Sequence, residues 1–296
     1  MSRKNKFRAS LAAASARLGG SHLTREARQR TTAAFTKVMY EEGFTHLAHA
    51  KNVSGRHLRI YVAVRKAQGI GQRTLQNELA HLRGILRSAR NHAVADAPEL
   101  TNRELGIGGG SRLGTNTALT GPTYDQVFAK AESQGRLGLA AILGLERFLG
   151  LRGNEALHAR TDTLRRWSQE LSNGGKITVL AGTKGGRPRT VTIGSIFEAM
   201  AAVSNALTIA EAQGGFLVVR SDGLPAGGLL QARRIYHSWA HRNGIKPHSA
   251  RYAFARAQRD FYLEKGYSAR EALIAVSHDL GHGDGRGRWV KSVYMR

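Results

Sequence analysis

Apolar residues recur at helical spacing in three segments of the first third of the chain. Segments 31–42, 54–67 and 75–89 each place their hydrophobic side chains on one helical face, and the third carries the longest apolar stripe. Three such faces can pack together, so we predict a small all-helical domain over residues 30–95. Residues 1–29 are basic and rich in Ala and Ser, which predicts a flexible or weakly helical arm ahead of that domain.

The helical periodicity stops after this domain. Residues 96–120 contain Pro98, the glycine triplet 108–110 and further glycines, a composition typical of a linker. The sequence Thr-Tyr-Asp-Gln from Thr123 has the pattern of a capping box, and it predicts the start of a new helix. A second domain is therefore predicted over residues 121–296.

The second domain combines helices with one hairpin. Residues 137–149 are apolar on most helical faces, so this helix is predicted to form the core. Two β-branched runs, 176–180 and 189–193, flank a Gly-rich turn and predict a β-hairpin. Further helices are predicted at 195–213, 228–242, 249–264, 268–279 and 288–295. The predicted fold is mainly α, with a helical domain followed by a mixed α/β domain that has a small sheet.

Charge points to a polyanionic partner. The chain has 45 Lys and Arg against 21 Asp and Glu, a net charge of +24. Residues 1–95 hold 18 of the basic residues and 4 of the acidic ones, a net charge of +14. Such an excess favours phosphate-rich ligands, because cations that meet phosphates release condensed counterions. Nucleic acid is the expected partner, and charge alone leaves RNA open.

Composition excludes several other classes. No apolar run approaches the length of a membrane span, so no membrane association is predicted. Cysteine is absent, which excludes disulfides, thiolate zinc sites and cysteine nucleophiles and fits a cytoplasmic protein. The sequence has no P-loop, no H-E-x-x-H and no G-x-S-x-G. We therefore expect no cofactor and no metal.

Four short segments of the second domain carry candidate chemistry. They are Gly-Leu-Arg-Gly-Asn-Glu at 150–155, the hairpin turn with its lysine, His-Ser-Ala-Arg at 248–251, and Leu-Gly-His at 280–282 followed by a tyrosine. In this order they resemble the tyrosine site-specific recombinases of the phage-integrase family. The residues that match the family pattern are Arg152, Glu155, Lys184, His248, Arg251, His282 and Tyr294.

The resemblance implies that the protein cuts and rejoins DNA through a 3′-phosphotyrosine intermediate, with Tyr294 as nucleophile. Arg152 and Arg251 are the expected pair on the non-bridging phosphate oxygens, because guanidinium groups bind them with two hydrogen bonds. His282 is expected to add another hydrogen bond. The spacing from His282 to Tyr294 is a few residues longer than is usual in the family, and residues 283–288 fill it.

The remaining roles concern protons and positioning. Lys184 on the hairpin is expected to protonate the leaving 5′ oxygen, as its counterpart does in the family. His248 is expected to accept or relay the proton of Tyr294. Glu155 is expected to orient a cationic neighbour rather than take part in the reaction.

The resemblance also implies a core-binding role for the first domain and a homotetramer on paired double-stranded DNA sites, and a mobile element is the expected genetic context. Phosphate contacts are predicted for four arginines beside the apolar stripe, namely Arg73, Arg83, Arg87 and Arg90. Two alternatives stay open on sequence alone. One is a non-catalytic DNA-binding accessory protein with the same fold, and the other is an enzyme like the type IB topoisomerases.

Overall fold

The computed structural model describes residues 2–110, 113–114 and 116–295. The chain divides into two compact units, residues 1–111 and 112–296. Each unit has its own hydrophobic core. No helix in the described part of the chain is long and apolar enough to span a membrane.

The first unit is all-helical, as predicted. Its helices are α1 (Arg3–Ala16), α2 (His22–Glu41), α3 (Gly55–Ala67), α4 (Gln72–Ser88) and the short α5 (His92–Ala95). The apolar stripe on α4 packs inward, with Leu75, Leu79 and Leu82 almost completely buried. The spacing of these residues at i, i+4 and i+7 explains why one face of α4 is buried in the core.

The predicted flexible arm at residues 1–29 is corrected by the structure. Helix α1 begins after Ser2, whose hydroxyl accepts a hydrogen bond from the backbone N–H of Asn5 at 3.3 Å. Phe7 and Leu11 are spaced by one helical turn, and both are fully buried against the rest of the unit. Helix α2 starts at His22, nine residues before the predicted start. Most basic residues of this segment are exposed on these helices, whereas Arg28 is buried, with 5% of its surface exposed.

The segment that connects the two units is also shorter than the predicted linker, residues 96–120. Leu100, Leu105 and Ile107 are buried in the core of the first unit, whereas Leu119 is buried in that of the second. The glycine triplet lies between these two anchored parts. Residues 111, 112 and 115 of the predicted linker lie outside the described residues.

The second unit contains nine helices and one hairpin in the described residues. The helices are α6 (Gly121–Ser133), α7 (Leu137–Phe148), α8 (Gly153–Leu157), α9 (Thr161–Gly174), α10 (Ile196–Ala212), α11 (Leu229–Arg242), α12 (His248–Glu264), α13 (Ala269–Asp279) and α14 (Gly287–Tyr294). Strands β1 (Lys176–Val179) and β2 (Arg189–Thr192) pair antiparallel, with Ile177 opposite Val191. The mainly helical fold with a small sheet is confirmed.

Helix α7 forms the centre of this unit. It packs against α10 and α12, and most of its side chains are buried, as its apolar sequence predicted. Helix α6 is capped by Thr120 rather than Thr123, because the Thr120 hydroxyl accepts from the backbone N–H of Thr123 at 3.3 Å. Helix α9 was not predicted, although Leu164, Trp167 and Leu171 form a buried face at helical spacing.

Candidate active site

The tyrosine at the end of α14 lies between two histidines. The hydroxyl of Tyr294 is 3.4 Å from Nε2 of His248 and 3.4 Å from Nε2 of His282. His248 is the first residue of α12, and His282 follows the turn after α13. The longer chain between His282 and Tyr294 therefore does not move the phenol out of the predicted site.

Aromatic packing fixes the ring of Tyr294. The residue is only 1% exposed. Its ring centroid lies 4.5 Å from that of Tyr252 and 5.6 Å from that of Trp289. Trp289 also meets the His282 ring edge to face at 4.3 Å. The rings of Tyr294 and His282 thus both pack against Trp289, and this packing restricts their rotamers.

Glu155 holds the arginines of the site. Its carboxylate is fully buried and accepts from Arg152 Nη1 at 2.7 Å and from the Arg152 backbone N–H at 2.7 Å. Arg189 donates to the same carboxylate at 2.7 and 3.2 Å, and Arg251 lies 3.9 Å away. The carboxylate of Glu155 therefore contacts three arginines, where the sequence analysis expected one cationic neighbour.

The Leu-Gly-His turn contributes carbonyl groups to the same cluster. The Leu280 carbonyl accepts from Arg152 Nη2 at 2.9 Å and also from Arg251 Nη2. Arg251 is 1% exposed, and its Nη1 donates to the Gly150 carbonyl. These contacts leave Nε of Arg251 buried without a partner among the described residues. Three sequence motifs far apart in the chain are therefore joined by backbone acceptors.

Two positions beside the arginine cluster require glycine. Gly281 has φ +65°, and a Cβ there would stand 2.6 Å from Cδ of Arg189. Gly150 has φ +62°, and a Cβ there would collide with the ring of Phe254. A side chain at either position would be strained and would displace the cluster.

The cluster lowers the pKa of both histidines. Burial, followed by the charges of Arg251 and Arg152, lowers the pKa of His248 to about 4. His248 is exposed on its outer side, but its Nε2 faces the buried phenol. The same causes, with Arg286 and Arg189, lower the pKa of His282 to about 3. Both imidazoles are therefore neutral at neutral pH.

The arginine cluster has more positive than negative charge. Burial alone would raise the pKa of Glu155, but hydrogen bonds and charge from Arg189, with the charge of Arg251, lower it to about 2. Burial lowers the pKa of Arg251 to about 10, which still leaves it protonated at neutral pH. Three guanidinium groups thus surround one carboxylate. The excess charge makes the site suitable for an anion such as a phosphodiester.

Lys184 lies apart from this cluster. It begins a short 3-10 turn at the end of the hairpin, and it is exposed. Its amine makes no hydrogen bond or ion pair within the described part of the chain. The connecting loop of the hairpin is tied to the site, because Asn154 Nδ2 donates to the Gly182 carbonyl at 3.0 Å. Lys184 therefore projects from an anchored hairpin.

Sequence reasoning missed Arg189 and Asp279. The side chain of Arg189 is 9% exposed, and it bonds the carbonyls of Gly150, at 3.1 Å, and Asp279. The buried Asp279 carboxylate accepts from the backbone N–H of Thr192 at 2.9 Å and from the Tyr262 hydroxyl at 2.9 Å. Burial, only partly offset by these hydrogen bonds, raises the pKa of Asp279. The pair connects the hairpin to α13.

The four arginines predicted to bind DNA phosphates differ in availability. Arg83 donates to Asn102 Oδ1 at 2.9 Å and to the Leu100 carbonyl, so it holds the segment after α5. Arg87 pairs with Asp96 at 2.6 Å. Arg73 and Arg90 are both exposed, and among the described residues Arg73 donates to Gln76 alone, at 3.1 Å. Arg73 and Arg90 thus have no acidic partner among the described residues, whereas Arg87 is exposed but paired with Asp96.

Both parts of the chain match protein families. Residues 106–257 match the family described as Integrase, and residues 1–95 match the one described as Phage integrase, N-terminal. The first match covers more than half of the chain and includes Arg152, Lys184, His248 and Arg251. The chain therefore belongs to the phage integrase family of tyrosine recombinases. No curated protein matches the chain.

Solved structures share the fold. One is the Tn1549 transposon integrase in complex with transposon right end DNA, with TM-score 0.62 and 12% identity over 96% of this chain and 94% of that one. Another is a lambda integrase dimer bound to a core site, with TM-score 0.58 and 16% identity over 95% of this chain and 75% of that one. A lambda integrase tetramer bound to a Holliday junction has TM-score 0.57 with the same identity and coverage.

Proposed function

We propose that this protein is a site-specific DNA recombinase of a mobile element, and that it cuts and rejoins DNA through a phosphodiester bond to Tyr294. The observation that carries the proposal is the placement of the Tyr294 hydroxyl 3.4 Å from two neutral imidazoles. A tyrosine hydroxyl ordinarily has a pKa of about 10, so it needs a base to act at neutral pH. The two histidines supply one.

The proposed cleavage step exchanges one phosphoester for another. The Tyr294 oxygen attacks the scissile phosphorus and forms a P–O bond while the bond to the 5′ oxygen breaks. His248 accepts the phenolic proton, and Lys184 donates a proton to the leaving 5′ oxygen. Rejoining is the reverse reaction, so the phosphodiester energy is kept and no nucleotide or metal is needed.

The arginine cluster stabilises the charge that develops on phosphate. Arg152 is the more accessible of the two predicted clamp residues, because its side chain is 22% exposed. Arg251 is buried and acts through its charge and its unpaired Nε. His282 donates to the same oxygens when its Nε2 carries the proton. Glu155 and Arg189 are positioning residues, because they touch the arginines and the turn rather than the phosphate.

Double-stranded DNA is the proposed substrate, and a homotetramer on paired sites is the proposed assembly. The net charge of +24 supports the substrate. The related structures hold DNA, and one is a tetramer on a Holliday junction. On the first unit, Arg73 and Arg90 are the proposed phosphate contacts. A cytoplasmic location is proposed with the DNA substrate.

A nicked suicide substrate tests the proposal. The nick lets the short strand beyond the scissile phosphate diffuse away, so the covalent protein–DNA adduct accumulates. We expect the protein to be joined to the 3′-phosphate end that the break creates, with or without EDTA. Tight binding of the element's end sequence without any adduct would contradict the proposal and favour a DNA-binding accessory protein. Relaxation of any supercoiled plasmid without exchange of paired sites would favour a topoisomerase.

A further inference from the structure

One flank of α12 contacts Tyr294 at three successive turns. His248, Tyr252 and Arg256 are spaced by four residues, so their side chains lie on the same side of the helix. Nε2 of His248 faces the Tyr294 hydroxyl at 3.4 Å, and the ring centroids of Tyr252 and Tyr294 lie 4.5 Å apart. Nε of Arg256 donates to the Tyr294 backbone carbonyl at 3.3 Å. The hydroxyl, the ring and the backbone of the tyrosine are therefore each contacted by a different residue of α12.

Tyr252 is the middle member of this flank, and it contacts the rings of both partners in the proposed proton transfer. Its ring meets that of His248 edge to face, with centroids 5.5 Å apart. It lies at an angle of 48° to the ring of Tyr294. Tyr252 is only 2% exposed, so both contacts are inside the protein. Because aromatic contacts depend on the orientation of the rings, one fixed ring restricts the other two.

A segment of the chain before α6 lies across the helices that carry the nucleophile and its proposed base. We call Gly114 and residues 116–119 the connecting segment, which belongs to the second unit. The Gly114 N–H donates to the Ser292 carbonyl of α14 at 3.3 Å. The Leu119 N–H donates to the Ser249 carbonyl in the first turn of α12 at 3.0 Å. The connecting segment thus joins the end of α14 to the start of α12.

Gly114 brings the backbone of the connecting segment close to Tyr252. A Cβ at Gly114 would collide with the Val293 carbonyl and would stand 2.9 Å from the Tyr252 hydroxyl. Only glycine lets the backbone approach α14 so closely. The Tyr252 hydroxyl is also hydrogen-bonded to the side chain of Asn116. The connecting segment therefore holds the hydroxyl of Tyr252, while the ring of Tyr252 packs on Tyr294.

We propose that Tyr252 is a positioning residue for the cleavage reaction. It holds the phenol of Tyr294 within reach of His248, and the connecting segment holds Tyr252 in turn. This role rests on the proposed function of Tyr294 as nucleophile. Burial raises the pKa of the Tyr252 phenol, so Tyr252 stays neutral at neutral pH and does not compete for the phosphate. Placement affects the rate strongly, because a displacement of about 1 Å at a reacting group can cost roughly 100-fold.

The first measurement separates placement of the phenol from DNA binding. Tyr252→Leu removes the ring, whereas Tyr252→Phe keeps the ring and removes the hydroxyl. The control is Tyr267→Leu, at a tyrosine that is 46% exposed. Circular dichroism and a thermal melt establish which variants fold. The rate of adduct formation on the nicked suicide substrate is then measured over a range of DNA concentrations.

We expect Tyr252→Leu to lower the rate at saturating DNA by about 100-fold, while the DNA concentration that gives half the maximal rate stays unchanged. The rate of Tyr252→Phe should lie between those of Tyr252→Leu and the wild type, because the ring contacts remain. Tyr267→Leu should react like the wild type. A wild-type rate in Tyr252→Leu would overturn the proposal. Equal losses in Tyr252→Leu and Tyr252→Phe would overturn it too, because the ring would then contribute nothing.

The second measurement needs neither DNA nor activity. Tyr294 is 1% exposed, so its ring should resist nitration by tetranitromethane in the free protein. Gly114→Ala displaces the connecting segment from α14. Its control is Gly174→Ala, because a Cβ at Gly174 meets nothing within 4 Å. Peptide mass spectrometry should show faster nitration of Tyr294 in Gly114→Ala and in Tyr252→Leu than in the wild type and in the control.

Equal nitration of Tyr294 in these proteins would overturn the proposal. Gly114→Ala decides the question by itself if Tyr252→Leu does not fold. Nitration also separates this failure from failure of the proposed function. An absent adduct in the wild type would contradict the recombinase assignment, while nitration would still decide whether Tyr252 and the connecting segment hold Tyr294 in place.

Discussion

Glu155 and Arg189 form a buried two-point ion pair, with nitrogen–oxygen distances of 2.7 and 3.2 Å. The carboxylate side chain is 0% exposed and that of the arginine is 9% exposed. Because Glu155 also holds Arg152 and lies near Arg251, its loss would leave several buried positive charges without compensation. Glu155 therefore lets the three arginines lie close together, because its negative charge offsets part of their mutual repulsion.

The first prediction concerns Glu155→Gln. We expect the free energy of unfolding to fall by about 3 kcal/mol, because breaking a buried pair leaves an uncompensated buried charge. Urea denaturation at pH 7 measures the loss. The matched control is Glu211→Gln, which removes an exposed partner of Arg165 and should cost under about 1 kcal/mol. Equal stability of the two variants would contradict the assigned role of Glu155.

The stabilisation by Glu155 has a defined pH dependence. Its pKa is about 2 in the folded protein against an ordinary value of 4.5. A depressed carboxyl pKa stabilises the fold above pH 4.5, and this contribution is lost as the pH falls from 4.5 toward 2. The stability difference between wild type and Glu155→Gln should shrink over that interval.

The second prediction separates charge from geometry at the two clamp arginines. Arg152→Lys and Arg251→Lys keep the charge but lose the planar guanidinium group and its several donors, so cleavage should fall by about two to three orders of magnitude while DNA affinity stays near that of the wild type. Rates of adduct formation and anisotropy measure the two quantities. The control, Arg165→Lys, should retain full activity. Full activity of either clamp variant would remove that arginine from the active site.

The third prediction concerns protons taken up on DNA binding. His248 and His282 are neutral in the free protein above about pH 4, because burial and the arginines depress the pKa of each. A bound phosphate offsets the positive charge and raises both pKa values. Between about pH 4 and the ordinary value of 6.5, binding should therefore take up protons, and affinity should rise as the pH falls.

Calorimetry at pH 5.5 in buffers of different ionisation enthalpy measures this uptake. His248→Gln with His282→Gln should reduce it. The control His22→Gln changes an exposed histidine at the start of α2 and should leave it unchanged. Uptake that does not differ between the two variants would show that no phosphate approaches these imidazoles.

The fourth prediction tests helix α1. Phe7→Ala and Leu11→Ala each remove a fully buried side chain, and each should lower the free energy of unfolding by about 2–5 kcal/mol. Leu23→Ala, at a side chain that is 47% exposed, should cost much less. Chemical denaturation monitored by circular dichroism makes the comparison. Insensitivity to Phe7→Ala would restore the interpretation of residues 1–29 as a flexible arm.

Most helices could be predicted from the sequence because their apolar faces are regular. The predicted segment 195–213 differs from α10 by one residue at each end, and the segments 228–242 and 268–279 differ from α11 and α13 by one residue at the start. Helix α1 was missed because its alanines and basic residues hide a short apolar stripe. Its Phe7 and Leu11 have a partner only in the tertiary fold.

The site was predicted in part, because motifs name residues but not their partners. Tyr294 and the two histidines meet as the motifs require. Arg189 was missed since a charged residue in a hairpin is ordinarily exposed. Its spacing of two from Val191, and of four from Ile193, places it on the inner face of the strand, and this was the available signal. Its partner Glu155 is 34 residues away in the sequence, and helix and strand periodicity does not predict contacts at that separation.

The most direct test of the account is the chemistry of the Tyr294 hydroxyl. Tyr294→Phe removes one oxygen and keeps the ring that packs on Tyr252 and Trp289, so fold and DNA affinity should be retained. The measurement is covalent attachment to a nicked suicide substrate, followed by peptide mapping of the wild-type adduct. We predict a 3′-phosphate on Tyr294 in the wild type and no adduct in Tyr294→Phe. An adduct that persists in the variant, or that maps to Tyr252, Tyr262 or Tyr267, would contradict it.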